Sequence, residues 1–259
     1  MNMALMSMAK RIAGLIRPES VQYEGAVLPA KHLRFGGRTY LRDRDFLGSA
    51  RHEADRLVRH CRLSSDSVVL DLGCGVGRLP IGLLKQVSLP KAYWGVDVNE
   101  QAIRWCQRRV TPRDERFQFL HLNIHNERYN PEGRFGAADL KLPFEKGTFD
   151  LIYLYSVFSH LKTDDVRAYL KEFDRLLEPS GRVFLTAFLE DGVPEMEENP
   201  EGYGRSWVGP LHCVRYRKSF FETMANEHGF RIDRFDHARE TDGQSGVYLS
   251  RSGAATSAT

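Results

Sequence analysis

Apolar residues come in two rhythms along this chain, and the rhythms alternate. Short continuous runs at 68–72 (VVLDL), 92–98 (AYWGVDV), 117–124 (FQFLHLNI), 148–158 (TFDLIYLYSVF) and 182–189 (RVFLTAFL) read as strands buried on both faces. Between them lie segments whose apolar residues recur every three or four positions. Residues 46–62 place Leu47, Ala50, Ala54, Leu57, Val58 and Cys61 at helical spacing, and 78–87 and 99–110 read as helices too. Asn99 is the expected cap of the last of these. The clearest helix starts at the expected cap Thr163, carries Val166, Leu170, Phe173 and Leu177 on one stripe, and stops at Pro179 and Gly181. A helix at 219–229 and strands at 230–237 and 246–251 complete the pattern.

Strands alternating with helices predict a doubly wound, mostly parallel α/β sheet, with the final strand turning back antiparallel. Ligands of such sheets bind outside the carboxyl ends of the strands, where strand order reverses. Three stretches lack periodicity. Residues 18–45 hold Pro18, Gly25, Pro29, Gly36 and Gly37 and read as irregular structure over a site. Residues 125–147 read as a long loop. Residues 190–215 read as a lid, because a disordered linker is seldom as aromatic as a stretch with Tyr203 and Trp207, followed by Tyr216.

Composition narrows the class. The formal charge of +3 is spread among interspersed acids and bases, which predicts no nucleic-acid partner. The 4 cysteines lack CxxC spacing, and the reading is no structural metal and a reducing, cytoplasmic setting. No apolar run reaches the roughly 18 residues of a membrane helix. The opening MNMALMSMAKRIAGLIRP puts its basic residues after its apolar ones, the reverse of a secretory signal. It reads as an amphipathic helix, packed on its own protein or touching a membrane surface. The tail SGAATSAT (252–259) reads as disordered.

The chemistry concentrates in LDLGCGVGR, residues 70–78. Glycine turns between strand and helix commonly hold phosphates, yet this one opens with Asp71, and Arg78 stands where the dinucleotide fingerprint has its third glycine. A carboxylate beside glycine amides at a helix start suits a zwitterionic amino acid better than a pyrophosphate. Asp97, ending the second strand, can accept both hydroxyls of a ribose, or cap a helix. After the third strand, Asn123 can pair with an adenine edge while Ile124 packs on its face, or both belong to a plain loop.

VVLDLGCGVGR, GVDVN, LPFEKGTFDLIYLYSVFSHL and LLEPSGRVFLTAF together resemble, in order and spacing, the class I S-adenosylmethionine-dependent methyltransferases. The resemblance covers roughly residues 46–190 and extends weakly to the last strands. It implies a seven-stranded Rossmann-like sheet over residues 46–251, an N-terminal cap at 1–45 and S-adenosylmethionine as cofactor. It places Asp71, Leu72, Gly73, Cys74, Gly75 and Gly77 around the methionine part, and Asp97 and Val98 at the ribose. Asn123, Ile124 and His125 would face the adenine, with Asn123 departing from the acid often found there, and Tyr155 and Ser156 would line the sulfonium region.

The segment LYSVFSHL lacks the Asn/Asp-Pro-Pro-aromatic stretch of methylases acting on base or glutamine amino groups. No RNA-binding module is appended either, so the expected acceptor is a small molecule methylated at oxygen or nitrogen. His160 and His212 are the candidate general bases, and His160 reads equally as a brace at a helix start. Two other functions share much of this pattern: a nicotinamide-dependent oxidoreductase, against which Asp71 and Arg78 count, and a non-catalytic binding protein of the same fold.

Overall fold

The computed structural model describes residues 18–253 except 36, 87–88, 137–139 and 204–205. The amphipathic helix expected at the start of the chain, and the expected disordered tail from 254 on, lie outside the described residues. A hairpin of β1 (Ser20–Tyr23) and β2 (Ala26–Pro29) leads through two 3₁₀ turns into α1 (Asp43–Cys61). The alternation follows: β3 (Val68–Leu72), α2 (Arg78–Leu83), β4 (Ala92–Asp97), α3 (Glu100–Arg109), β5 (Phe117–His121), β6 (Phe149–Leu154), α4 (Thr163–Leu176) and β7 (Leu177–Glu190). The chain closes with β8 (Met196–Glu198), β9 (Val214–Arg217), α5 (Lys218–Glu227), β10 (Phe230–Asp236) and β11 (Ser245–Arg251).

The main sheet runs β10-β11-β7-β6-β3-β4-β5. Strands β3 to β7 are parallel, and β11 lies antiparallel between β7 and β10, as expected for the final strand. Strand order reverses between β3 and β6, which opens a crevice at their carboxyl ends. Both faces are covered, so the strands carry continuous apolar runs. Leu70 and Leu72 of β3 pack with Phe173 and Phe221 beneath α4 and α5. Val69 packs the other way, with Leu57, Ile103 and Trp105 of α1 and α3. Asp71 points to that second face too and is 2% exposed.

Several elements differ from their sequence pattern, each for a local reason. β6 ends at Leu154 because Ser156 adopts a left-handed φ of 59° and donates its N–H to Thr186 Oγ1 at 2.7 Å. β5 ends at His121, where the chain leaves the sheet toward the 123–136 excursion. α2 is shorter than expected, and a tight turn follows it in which Lys85 N–H bonds to Gly82 O and Gln86 N–H to Leu83 O. α4 begins at Thr163, the expected cap, so the cap position falls instead on Lys162, whose N–H is taken by Asp165. β7 continues through Pro179 and Gly181 rather than starting after them. The 190–215 stretch is partly regular: β9 extends the end of β7 in parallel and β8 pairs back on β9. Among the described residues no helix is long and apolar enough to cross a membrane.

One close approach fixes the first helical layer. A Cβ on Gly82 would collide with the Ala50 carbonyl, so α1 and α2 cross backbone to backbone. Gly82→Ala is expected to destabilise the fold by about 1–3 kcal/mol, the usual cost of overpacking. Chemical denaturation of the two proteins checks this, and equal midpoints would mean that α1 can yield.

Candidate active site

A cavity of about 250 Å³ opens at the carboxyl ends of β3, β4, β5 and β6. Of the residues singled out from the sequence, Asp71, Leu72, Gly73, Cys74, Gly75, Asp97, Val98, Ile124, His125, Tyr155, Ser156 and His160 line it. Gly77, Asn123 and His212 do not. Gly77 shapes the turn beneath with a φ of 73°, its α-carbon set against Cys106 and Pro80. Asn123 is exposed and holds the excursion that follows, its Oδ1 accepting from Arg134 N–H at 3.2 Å. His212 packs on Trp207 at 5.3 Å, and its Nδ1 accepts from Val208 N–H at 2.7 Å.

The glycine turn is fastened to its neighbouring strand. Gly73 N–H and Cys74 N–H both bond to Val96 O, at 2.7 and 3.1 Å. Gly75 N–H bonds to Asp97 Oδ2 at 2.7 Å, and Asn99 N–H to Asp97 Oδ1 at 2.7 Å. Each Asp97 oxygen keeps a further lone pair, since an ionised carboxylate accepts about four hydrogen bonds. Asn99 caps α3 as expected, accepting from Ala102 N–H at 2.9 Å. Gly75 sits at a φ of 52°, and a Cβ there would meet nothing within 4 Å, so its missing side chain leaves room at the cavity wall.

Asp71 takes a hydrogen bond from the Tyr93 hydroxyl. Burial raises its pKa to about 7, opposed by the Tyr93 bond and by the positive Arg78. Burial likewise pushes Asp97 up from its ordinary value, opposed by the N–H groups of Asn99 and Gly75.

Arg78, noted in the sequence only as departing from the dinucleotide fingerprint, lines the cavity too, and residues that the sequence did not single out complete the walls: Phe35, Tyr40, Tyr129, Thr241 and Asp242 among them. Tyr40 Oη and Tyr155 Oη both reach Thr241 Oγ1, at 3.1 and 2.9 Å. Behind them a buried polar network anchors the turn between β10 and β11. Arg56 pairs with Glu53 at 3.2 Å and Glu240 at 2.7 Å, and Tyr153 Oη donates to Glu53 at 3.0 Å. Turn formers alone mark 240–243 in the sequence, so of these only Phe35 and Tyr40, within the stretch expected to cover a site, had a usable signal.

At the other end, His160 joins three segments. Its Nδ1 lies 2.8 Å from Leu211 O, and because a carbonyl only accepts, Nδ1 carries the proton. In the neutral ring Nε2 then accepts from Tyr129 Oη at 3.2 Å, while Asn126 Nδ2 donates to His160 O at 3.3 Å. Both ring nitrogens are engaged.

Two outcomes follow. His160→Ala leaves the Leu211 carbonyl without this donor and is expected to cost about 1–3 kcal/mol of stability, read from denaturation midpoints. Asp71 gives a pH signature. Folded, its carboxyl holds a proton up to about pH 7. Unfolded, it releases that proton near pH ~4. The folded state thus binds the extra proton in this window, and stability falls as pH rises across it. The melting temperature of the wild type, measured relative to Asp71→Asn, should drop between those limits and level off above them. A difference independent of pH would contradict the raised carboxyl.

Comparison with known proteins bears on the family and the fold. Residues 40–234 match the family described as methyltransferase domain. The demethylmenaquinone methyltransferase of Lactiplantibacillus plantarum is 29% identical over 137 residues, 53% of this chain and 52% of that protein. The 2-phytyl-1,4-naphtoquinone methyltransferase of Nostoc punctiforme is 26% identical over 166 residues, 64% of this chain and 65% of that one. The chain thus spans about half to two thirds of the length of these curated relatives. In fold it is similar to magnesium protoporphyrin IX methyltransferase from Synechocystis, solved with S-adenosylhomocysteine, with a TM-score of 0.55 and 16% identity over 86% of this chain and 91% of that one. The match over residues 40–234, on a sheet of this order, places the chain in the class I S-adenosylmethionine-dependent methyltransferase family.

Proposed function

We propose that this protein transfers the methyl group of S-adenosylmethionine to an oxygen or nitrogen of a small organic acceptor. The observation that carries the reading is a single cavity shared by Asp71, Asp97 and the residues after β6. The residues present fit the donor. Asp97, oriented by Gly75 and Asn99, has lone pairs left for two ribose hydroxyls. Asp71 faces the aminoacyl end, Val98 and Ile124 offer apolar contact to the adenine, and Tyr155 and Ser156 border the reacting end. When bound, the donor supplies an electrophilic methyl group on a positively charged sulfur.

Transfer from such a sulfur is an in-line substitution, and alignment in a closed site provides most of what the protein must do. Phe35, Tyr40, Thr241 and Asp242 line the cavity together with the donor-side residues, so the acceptor would meet the donor in one concave site. The quinones in the names of two relatives are likewise organic molecules rather than nucleic acids, though a quinone offers a ring carbon, not an O–H or N–H, to the methyl group. Where the acceptor must lose a proton, His160 is the base, and the Tyr129 hydroxyl on its Nε2 is the group through which it acts. His212, turned toward Trp207, supports the segment that covers the site.

Calorimetric titration with S-adenosylhomocysteine tests the reading. The folded protein should bind it, and Asp97→Ala should weaken binding by about 1–3 kcal/mol through loss of a charged acceptor. A folded wild type that does not bind overturns the donor assignment. Turnover with a panel of small phenols and amines then tests the acceptor class.

A further inference from the structure

The charges facing this cavity are not matched one to one. Arg78, the first residue of α2, lies with its guanidinium 4.4 Å from the Tyr155 ring centroid and 5.3 Å from that of Tyr40. Its Nη1 atom is buried and has no hydrogen-bond partner. The nearby acids are committed elsewhere: Glu53 and Glu240 to Arg56, Tyr153 and Tyr155, and Asp71 to Tyr93. Tyrosine faces attract a guanidinium and hold it still, but they offer Nη1 no acceptor. A buried cation left this way is costly unless a ligand completes it.

The glycine turn sharpens the point. The N–H groups of Gly73, Cys74, Gly75 and Gly77 all bond within the protein, to Val96, Asp97 and Cys74. An anionic group entering this end of the cavity finds those four amides already taken, which favours a side-chain donor. Arg78 lines the cavity and has one to give.

We propose that Arg78 is the counter-ion for a carboxylate carried by a ligand of this cavity. A planar fork immobilised between two rings is suited to bidentate carboxylate recognition. Two ligands can bring that carboxylate: the methyl donor, through its aminoacyl end, or an acidic acceptor. The donor has the more specific logic, since its aminoacyl end brings a carboxylate to the end of the cavity that Arg78 lines. This inference rests on the donor assignment above.

The test is calorimetry on the full chain, wild type and Arg78→Met, with S-adenosylhomocysteine and with its analogue in which hydrogen replaces the carboxylate. If the donor supplies the carboxylate, the wild type prefers S-adenosylhomocysteine by about tenfold or more, and Arg78→Met binds the two alike. If the acceptor supplies it, Arg78→Met keeps the wild-type affinity for S-adenosylhomocysteine. In that case the loaded wild type binds para-hydroxybenzoate but not para-hydroxybenzamide, and loaded Arg78→Met binds neither. Either pattern supports the proposal. Without ligand, Arg78→Met should melt at or above the wild type, because an unpaired buried charge has been removed. A wild type that binds the nucleosides yet shows no Arg78-dependent discrimination of either carboxylate overturns the role of Arg78 and leaves the donor assignment standing. A lower melting temperature with unchanged binding makes Arg78 a packing residue and also overturns it. A wild type that binds neither nucleoside overturns both readings.

Discussion

The site depends on how the turn after β3 is tied to the end of β4. Gly73 and Cys74 give their N–H groups to Val96 O, and Gly75 gives its own to the Asp97 carboxylate. The turn is thereby rigid, and it is also spent as an anion cradle. In phosphate-binding turns the amides point at the ligand and the dipole of the following helix assists. Here the charged side chains Asp71, Arg78 and Asp97 line the cavity beside the turn. Asp97 serves both purposes, because its oxygens orient the turn and α3 while keeping lone pairs for a ligand.

The walls of the cavity come from segments far apart in the chain, and buried polar contacts hold them together. Arg56 of α1 is the hub on one side, gripping Glu240 in the turn between β10 and β11 and stacking over Phe184 at 4.8 Å. Its positive charge is secured by Glu53 and Glu240 against the cost of burial. Thr241 then meets Tyr40 and Tyr155, so the last turn of the sheet and the N-terminal segment close over the same space. On the other side His160 performs the matching task, joining Leu211 near β9 to Tyr129 in the excursion after β5.

The sequence by itself determined the layered sheet. A strand covered on both faces must be apolar throughout, and helices packed on it must carry an apolar stripe, so VVLDL and the Val166–Leu170–Phe173 stripe announce themselves. It also located the glycine turn, Asp97 and the Asn99 cap, whose partners lie within a few residues or at the end of the adjacent strand. The tertiary structure decided which side chains face the ligand. Asn123 turns out to Arg134 N–H and His212 to Val208 N–H, although both residue types suit a site. Tyr40 and Thr241 meet across 201 positions of chain. Such contacts leave no period and no spacing behind. Side-chain polar groups satisfy one another wherever the fold brings them together, and that geometry exists only once the sheet has closed its order and its ends stand side by side.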